Sequence, residues 1–264
     1  MQAAYEEGLF AAIKSSVDSK LDANDTPDSI VVKTMNACNY LMSNRASIFD
    51  KSSSLGVQAD LFHPTSVDLM TTRGACGSYS QVLARMLDSY QYPIRIAQMK
   101  AGGTWAAHNI VEVNTGRGWV VLDPTYNTCF VRPDSRLASF DDVKNNWTWY
   151  SRQLPPGYDL QYRYEDARYS NWTKVPVIFP AIKGILNLTI GREKADKISV
   201  RTWFLKIYNL YLYLTLLIAL PIFFFTMRRL VQTKVFPDPQ IPFTLRNLVK
   251  YLALQISGKN TGII

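Results

Sequence analysis

The chain has 264 residues, 47% of them hydrophobic and 19% charged, with a formal net charge of +8. This length suits one sizeable domain with additional segments, and the low charged fraction favours a membrane segment. Three cysteines without Cys-x-x-Cys spacing and two histidines argue against a disulfide framework and a structural zinc site. No compact Lys/Arg stripe lies in the middle of the chain, so we expect no nucleic-acid partner.

The N-terminal part predicts two helices. The first covers residues 5–19, and its acidic Glu6 and Glu7 argue against a secretory signal peptide. The second begins with Thr26 as N-cap and Pro27 at the first helical position. Its helical spacing predicts a buried stripe of Ile30, Val31, Met35, Cys38, Leu41 and Met42. Residues 49–70 follow as a loop-rich stretch that contains His63, a loop residue with a weaker claim to act as a base.

A glycine-flanked turn, Arg73-Gly74-Ala75-Cys76-Gly77, leads directly into a helix that we expect to end near Tyr92. The buried face of this helix is predicted to carry Tyr79, Leu83, Met86, Leu87 and Tyr90. Cys76 belongs to the same face, in the first turn. The unpaired N–H groups and dipole of a helix N-terminus favour a thiolate, although a cysteine there is equally consistent with simple burial.

Three strands are predicted next, over residues 94–100, 106–113 and 118–125. A glycine-rich loop, residues 101–104, connects the first two. His108 lies on the second strand and Asp123 on the third. A cysteine, a histidine and an aspartate in this arrangement match the nucleophile, base and orienting group of an acyl-transfer site.

The segments Gly74-Ala75-Cys76-Gly77-Ser78-Tyr79, Ala107-His108-Asn109-Ile110-Val111-Glu112-Val113 and Trp119-Val120-Val121-Leu122-Asp123-Pro124-Thr125 resemble the three motifs of the transglutaminase-like superfamily. The resemblance covers roughly residues 30–135. It implies an α+β fold with a papain-like core, in which a cysteine-bearing helix packs on an antiparallel sheet. It also implies Cys76 as nucleophile, His108 as general base and Asp123 as orienter. Ala75-Cys76-Gly77 departs from the Gln-Cys-Trp of the animal cross-linking branch, and the second oxyanion-hole donor is unidentified.

Counting along the hairpin gives a geometric prediction. In an antiparallel hairpin, the residue numbers of two directly paired residues have a constant sum. If Thr115 and Gly116 form a two-residue turn, this sum is 231 and His108 pairs with Asp123. Any odd sum keeps both side chains on one face, whereas an even sum separates them. We therefore expect an odd register, a hydrogen bond between His108 and Asp123, and a His108 ring that faces the Cys76 helix.

The C-terminal half contains an aromatic-rich stretch, residues 145–172, for which packing is favoured over a sugar- or peptide-binding surface. Residues 207–227 are uncharged, and as a helix they reach roughly 30 Å, the thickness of the hydrocarbon core of a bilayer. Residues 243–256 predict a basic amphipathic helix. Basic residues flank both ends of the span equally, so orientation is undetermined, and the cytoplasm is the default side for the catalytic domain.

These observations predict five segments: an N-terminal helix with its connection (1–25), a transglutaminase-like domain (26–180), a juxtamembrane segment (181–206), a transmembrane helix (207–227) and a basic amphipathic tail (228–264). The expected function is acyl transfer or hydrolysis at a peptide or isopeptide amide, without metal or organic cofactor. The expected partners are an amide substrate and the lipid bilayer. The alternative is a non-catalytic, membrane-tethered binding or assembly module with the same fold.

Overall fold

A computed structural model describes residues 2–46, 63–71, 76–173 and 176–234. The fold is α+β, with a five-stranded antiparallel sheet and one long apolar helix near the C-terminus. The described residues up to Leu210 form one compact unit, and those from Tyr211 to residue 234 belong to a second. The predicted turn before Cys76 and the predicted amphipathic tail lie outside the described residues.

Two helices open the chain. Helix α1 covers Gln2–Asp18 and helix α2 covers Pro27–Ser43. The Thr26 hydroxyl accepts a hydrogen bond from the Ser29 backbone N–H, which confirms the predicted N-cap. Most of the predicted stripe of α2 is buried, including Cys38, but Ile30 and Leu41 are only half-buried.

Two further helices precede the sheet. The predicted loop-rich stretch ends in a short helix, α3, over Thr65–Met70. Helix α4 covers Cys76–Asp88, four residues shorter than predicted. Backbone hydrogen bonds of turn type follow it, and Gln91 has a φ of 62°, a conformation that a helix cannot contain. The helix therefore ends before Tyr92, where Pro93 was predicted to end it.

The sheet has the strand order β4-β3-β2-β1-β5. Its strands are β1 (Ile94–Ala101), β2 (Thr104–Asn114), β3 (Trp119–Asp123), β4 (Thr128–Cys129) and β5 (Ala167–Arg168). The β1–β2 hairpin turns at Gly102 and Gly103, which both have positive φ. The three strands predicted from alternation are confirmed, and β4 and β5 were not predicted.

The β2–β3 loop differs from the prediction. Asn114 pairs with Trp119, so paired positions sum to 233 and the loop has four residues. The prediction of a two-residue turn at Thr115 and Gly116 was therefore wrong. Gly116 and Gly118 both adopt positive φ, and the Thr115 N–H donates to the Gly118 carbonyl at 3.2 Å, which closes the longer loop. The sum remains odd, so the predicted parity of the strands is confirmed.

The two faces of the sheet have separate cores. One face packs against α1, α2 and α4 through residues such as Val111, Val113 and Leu122. The other face carries Ile110 and Val121 and packs against aromatic residues from the segment after β4. This segment contains α5 (Phe140–Asn145), α6 (Trp147–Tyr150) and a 3₁₀ turn (Ser151–Gln153). The preference for packing in the aromatic-rich stretch is therefore confirmed for its buried members, which are Tyr150, Tyr158, Tyr164 and Trp172.

The last part of the first unit contains α7 (Ile178–Ile190), α8 (Arg192–Asp196) and a 3₁₀ helix (Val200–Phe204) that contacts β1. Helix α7 is apolar and has no buried residue within the described structure; Leu188, for example, is 88% exposed. Helix α9 covers Ile207–Lys234 and contains Pro221. Its segment Ile207–Arg229 is long and apolar enough to cross a membrane, and its side chains are largely exposed.

Candidate active site

Helix α4 presents Cys76 at its first residue, where the backbone N–H groups have no partner within the helix. Two contacts fix this end of the helix against β2. The Ser80 hydroxyl donates to the Asn109 carbonyl at 3.1 Å, and the Asn109 side-chain amide donates to the Cys76 sulfur at 3.2 Å. The thiol is half-buried, so it remains accessible to a reagent or substrate.

His108 and Asp123 form a buried pair. The His108 Nε2 lies 2.7 Å from the Asp123 Oδ2, and the two side chains are 2% and 0% exposed. The other carboxylate oxygen of Asp123 accepts the backbone N–H groups of Thr125 and Tyr126 at 3.1 and 3.4 Å. These contacts hold the carboxylate in one orientation. The predicted hydrogen bond between the two strands is thus present, although the residue numbers that pair in the ladder are shifted by two.

Cys76 and His108 each shift the pKa of the other group, so the sulfur lies close to the imidazole ring. Asp123 occupies Nε2, which leaves Nδ1 as the ring nitrogen available to the sulfur. Burial lowers the pKa of His108, but the hydrogen bonds to Asp123 and Cys76 outweigh burial and raise this pKa to about 9. Burial raises the pKa of Cys76, but the hydrogen bond and charge of His108 and the amide of Asn109 outweigh it and lower this pKa. Both shifts favour a thiolate–imidazolium pair over the neutral pair.

The orientation of the His108 ring differs from the prediction. His108 shares a face of β2 with Ile110, whereas α4 packs on the opposite face through Val111. The ring therefore does not face the body of the helix. The β2–β3 ladder ends at the pair Val111–Leu122, so His108 lies beyond its end. There the N-terminal end of α4 brings the sulfur to the ring.

Sequence reasoning missed two residues beside the sulfur. Arg201, which was counted only among the basic residues before the span, donates from Nη1 to the Asn109 Oδ1 at 2.7 Å. A guanidinium group can only donate, so this contact fixes which end of the Asn109 amide is the oxygen. The amide nitrogen must then point at Cys76. Asn109 follows His108 directly, which is the only signal in the sequence that could have indicated its role.

Aromatic rings cover the other side of the histidine. Tyr162 stacks on His108 with ring centroids 4.6 Å apart and an interplanar angle of 9°. Tyr126 lies 5.7 Å from the same ring and 4.5 Å from Tyr158. Tyr158 and Tyr162 come from the segment predicted to pack, whereas Tyr126 lies in the turn between β3 and β4. The three rings exclude water from the His108–Asp123 pair, which strengthens its electrostatic interaction.

His63 lies outside helices and strands, as predicted, and also pairs with an aspartate. Its Nε2 is 3.0 Å from the Asp68 Oδ2, while the Asp68 Oδ1 accepts the Ser78 hydroxyl at 2.6 Å. Asp68 is 4% exposed and belongs to α3, and Ser78 lies in the first turn of α4. This network therefore joins α3 to the helix that carries Cys76.

The other two cysteines have different surroundings. Cys38 is fully buried and Cys129 is half-buried, and burial raises the pKa of both thiols. Neither shows the lowered pKa of Cys76. Within the described ranges, no group of three or more His, Cys, Asp or Glu side chains could hold a metal ion.

No family model, curated protein or solved structure matches this chain. The chemical reading of the site therefore depends on its own geometry. A thiol with a lowered pKa, a histidine in contact with it and a buried carboxylate behind the ring form an arrangement that can attack an electrophilic carbon and return a proton to a leaving group.

Proposed function

We propose that this chain is a membrane-anchored cysteine enzyme of the transglutaminase-like superfamily, with a papain-like core, acting on peptide or isopeptide amides. The observation that carries the proposal is the buried His108–Asp123 hydrogen bond beside Cys76, with the pKa of the thiol lowered and that of the imidazole raised to about 9. A thiolate at a helix N-terminus beside an imidazolium is the reactive form that such an enzyme requires.

In the proposed reaction, the Cys76 thiolate attacks the amide carbonyl and forms a tetrahedral intermediate. The His108 imidazolium then donates its proton to the leaving amine, and the acyl group remains on sulfur as a thioester. Water or a second amine, deprotonated by His108, attacks the thioester and releases the thiol. Asp123 keeps the imidazole in one tautomer and stabilises its cationic form throughout.

The negative charge that develops on the carbonyl oxygen needs donors close to the sulfur. The backbone N–H of Cys76 at the start of α4 is one candidate. The Asn109 amide nitrogen, 3.2 Å from the sulfur and held by Arg201, is the second. Asn109 thereby supplies the donor that the sequence left unidentified.

The test of this proposal is reaction with amides. A library of peptides and isopeptides should contain substrates from which the full-length protein releases an amine, and a mass increase on Cys76 should identify the thioester. Cys76→Ala should abolish the release, whereas the matched substitution Cys129→Ala should leave it within about threefold. A protein that binds library members without forming a Cys76 adduct would instead be a non-catalytic binding module.

The anchor has its own test. Helix α9 contains a 23-residue segment of high hydropathy, Ile207–Arg229, with largely exposed side chains. We expect the full-length protein to stay with membranes after carbonate extraction, because burial of such a helix in hydrocarbon is strongly favourable. A chain that ends at Leu210, the last residue of the first compact unit, should be extracted. Full-length protein in the carbonate supernatant would contradict the membrane anchor.

A further inference from the structure

A row of polar side chains crosses three strands on the face of the sheet that also packs against α4. Arg168 of β5 pairs with Gln98 of β1, and Gln98 pairs with Asn109 of β2. The Arg168 Nε donates to the Gln98 Oε1 at 3.0 Å, and Arg201 donates to the Asn109 Oδ1. Neighbouring strands are about 4.8 Å apart, so the whole row spans about 10 Å. It ends at the Cys76 sulfur, which accepts from Asn109.

The two arginines of this row are held by uncharged groups. Arg168 also lies over the Trp105 ring, with its guanidinium carbon 5.2 Å from the ring centroid. In the part of the chain that the structure describes, neither Arg168 nor Arg201 forms an ion pair with a carboxylate. Both arginine residues are half-buried.

The two guanidinium groups bind Gln98 and Asn109, which are direct neighbours on β1 and β2. Burial lowers the pKa of Arg201, the Cys76 charge raises it, and the Arg168 charge lowers it further. Two neighbouring cations repel each other, and the Cys76 charge offsets this repulsion at Arg201. Guanidinium groups bind carboxylates with two parallel hydrogen bonds, so a carboxylate placed at this row would relieve the repulsion.

We propose that Arg168 and Arg201 form a carboxylate-binding subsite beside Cys76, and that the substrate amide carries a free carboxylate a few bonds from the bond that is cleaved. This inference rests on the proposed function and adds a substrate class to it. The His108 ring lies on the other face of β2, so the substrate carboxylate and the general base approach the sulfur from different sides. One side of the scissile amide is thus selected by charge.

The experiment compares two alkylating probes, N-(iodoacetyl)glycine and N-(iodoacetyl)glycinamide, on the full-length protein in detergent. With both probes the thiolate displaces iodide from the same carbon, and only the terminal carboxylate differs. We expect the ratio of acid rate to amide rate at Cys76 to exceed the ratio measured on N-acetylcysteine by about fivefold, the size expected for nearby unit charges at a protein surface.

The arginines are tested by the same ratio. Arg168→Gln and Arg201→Gln should each lower it towards the free-thiol value, provided that the variants keep the wild-type unfolding temperature. Arg152→Gln, at an exposed position of the same unit, serves as the matched control and should not change it. Arg201 also holds Asn109, so its replacement can slow both probes. No hydrogen bond joins Arg168 to Asn109 among the described residues. An acid-to-amide rate ratio that is unchanged in Arg168→Gln would therefore overturn the subsite.

Failure of the subsite can be separated from failure of the proposed function. Slow alkylation of Cys76 by both probes would contradict the activated thiol. In that event, calorimetric titration of the same protein with N-acetylglycine and N-acetylglycinamide decides the subsite, which requires tighter binding of the acid and loss of this preference in Arg168→Gln. Equal binding of the two compounds, or stronger competition by inorganic phosphate than by N-acetylglycine, would overturn the carboxylate assignment.

Discussion

The two histidines of the chain each pair with an aspartate, and the two pairs differ in what surrounds them. The His108–Asp123 pair is 2.7 Å long, with side chains 2% and 0% exposed, and Cys76 helps to raise the pKa of its ring. The His63–Asp68 pair is 3.0 Å long, with side chains 24% and 6% exposed. Its carboxylate accepts a hydrogen bond from the hydroxyl of Ser78, a residue of the first turn of α4.

This comparison teaches that a histidine–aspartate pair is not by itself a general base. Asp123 is held by backbone N–H groups, so its orientation is fixed and the ring it supports can act on the sulfur. Asp68 instead links two helices, and the hydrogen bonds it accepts fasten the helix on which the nucleophile stands. In the proposed mechanism the first pair therefore transfers the proton, and the second pair positions α4.

The largest expected difference between the pairs is in thiol reactivity. His108→Ala should slow alkylation of Cys76 by iodoacetamide at about pH 6.5 by about tenfold to a hundredfold, because the pKa of the thiol returns towards its ordinary value. His63→Ala, the matched control, should change the rate by less than about threefold. Peptide mapping by mass spectrometry measures the rate at each cysteine, and in wild-type protein Cys76 should react well before Cys38 or Cys129. Equal losses in the two variants would remove the distinction drawn here.

The second difference concerns protonation of the imidazole. Because the chain has only two histidines, NMR of histidine-labelled protein should give two titrating rings, with the His63 signal assigned from its loss in His63→Ala. The His108 ring should remain protonated up to about pH 9, since its pKa is raised. Asp123→Asn should lower that pKa by about one to two units, because the anion that favours the imidazolium is lost.

The control for this titration is Asp68→Asn, which should leave the His108 curve in place. A shift of the His108 curve in Asp68→Asn as large as in Asp123→Asn would show that both carboxylates act on one ring. The raised pKa of His108 also makes folding stability depend on pH. A folded pKa above the unfolded value contributes stability that is fully present below about pH 6.5 and is lost as the pH rises through about 9.

The smallest expected difference is in folding stability, and here we expect the effect from the His63–Asp68 pair. Asp68→Ala removes a buried acceptor of two side-chain hydrogen bonds, so it should lower the free energy of unfolding by about 1–3 kcal/mol. Alkylation of folded Cys76 should change by less than about threefold. Thermal unfolding in detergent measures the first effect, and Glu193→Ala, at an 87% exposed side chain, should cost less than about 0.5 kcal/mol. A hundredfold loss of Cys76 reactivity in Asp68→Ala would instead place this carboxylate in the chemistry.

Local sequence rules determined much of the fold. The cap at Thr26, the buried stripe of α2 and the three strands follow from capping chemistry and periodicity, which depend on neighbouring residues. The common face of His108 and Asp123 was also predictable, because it needs only the parity of the hairpin. Loop length was not, since it depended on positive φ at both Gly116 and Gly118.

The long apolar run of α9 was readable for the same reason, because hydropathy is a property of consecutive residues. The surroundings of the sulfur were not readable. Arg201 lies 92 residues from Asn109 along the chain, and no local pattern connects them. The stacking of Tyr162 on His108 likewise depends on how the segment after β4 returns to the sheet.

The sequence by itself determined which side chains could react, because a cysteine at a helix start and a histidine and an aspartate on paired strands are set by local structure. Only the tertiary structure decided how they meet. It placed His108 on the face away from α4, joined His63 to Asp68, and brought Arg168 and Arg201 to the row beside Cys76. Such contacts depend on the packing of elements that are distant in the chain. The free energy of that packing depends on several segments together, so no single segment determines it.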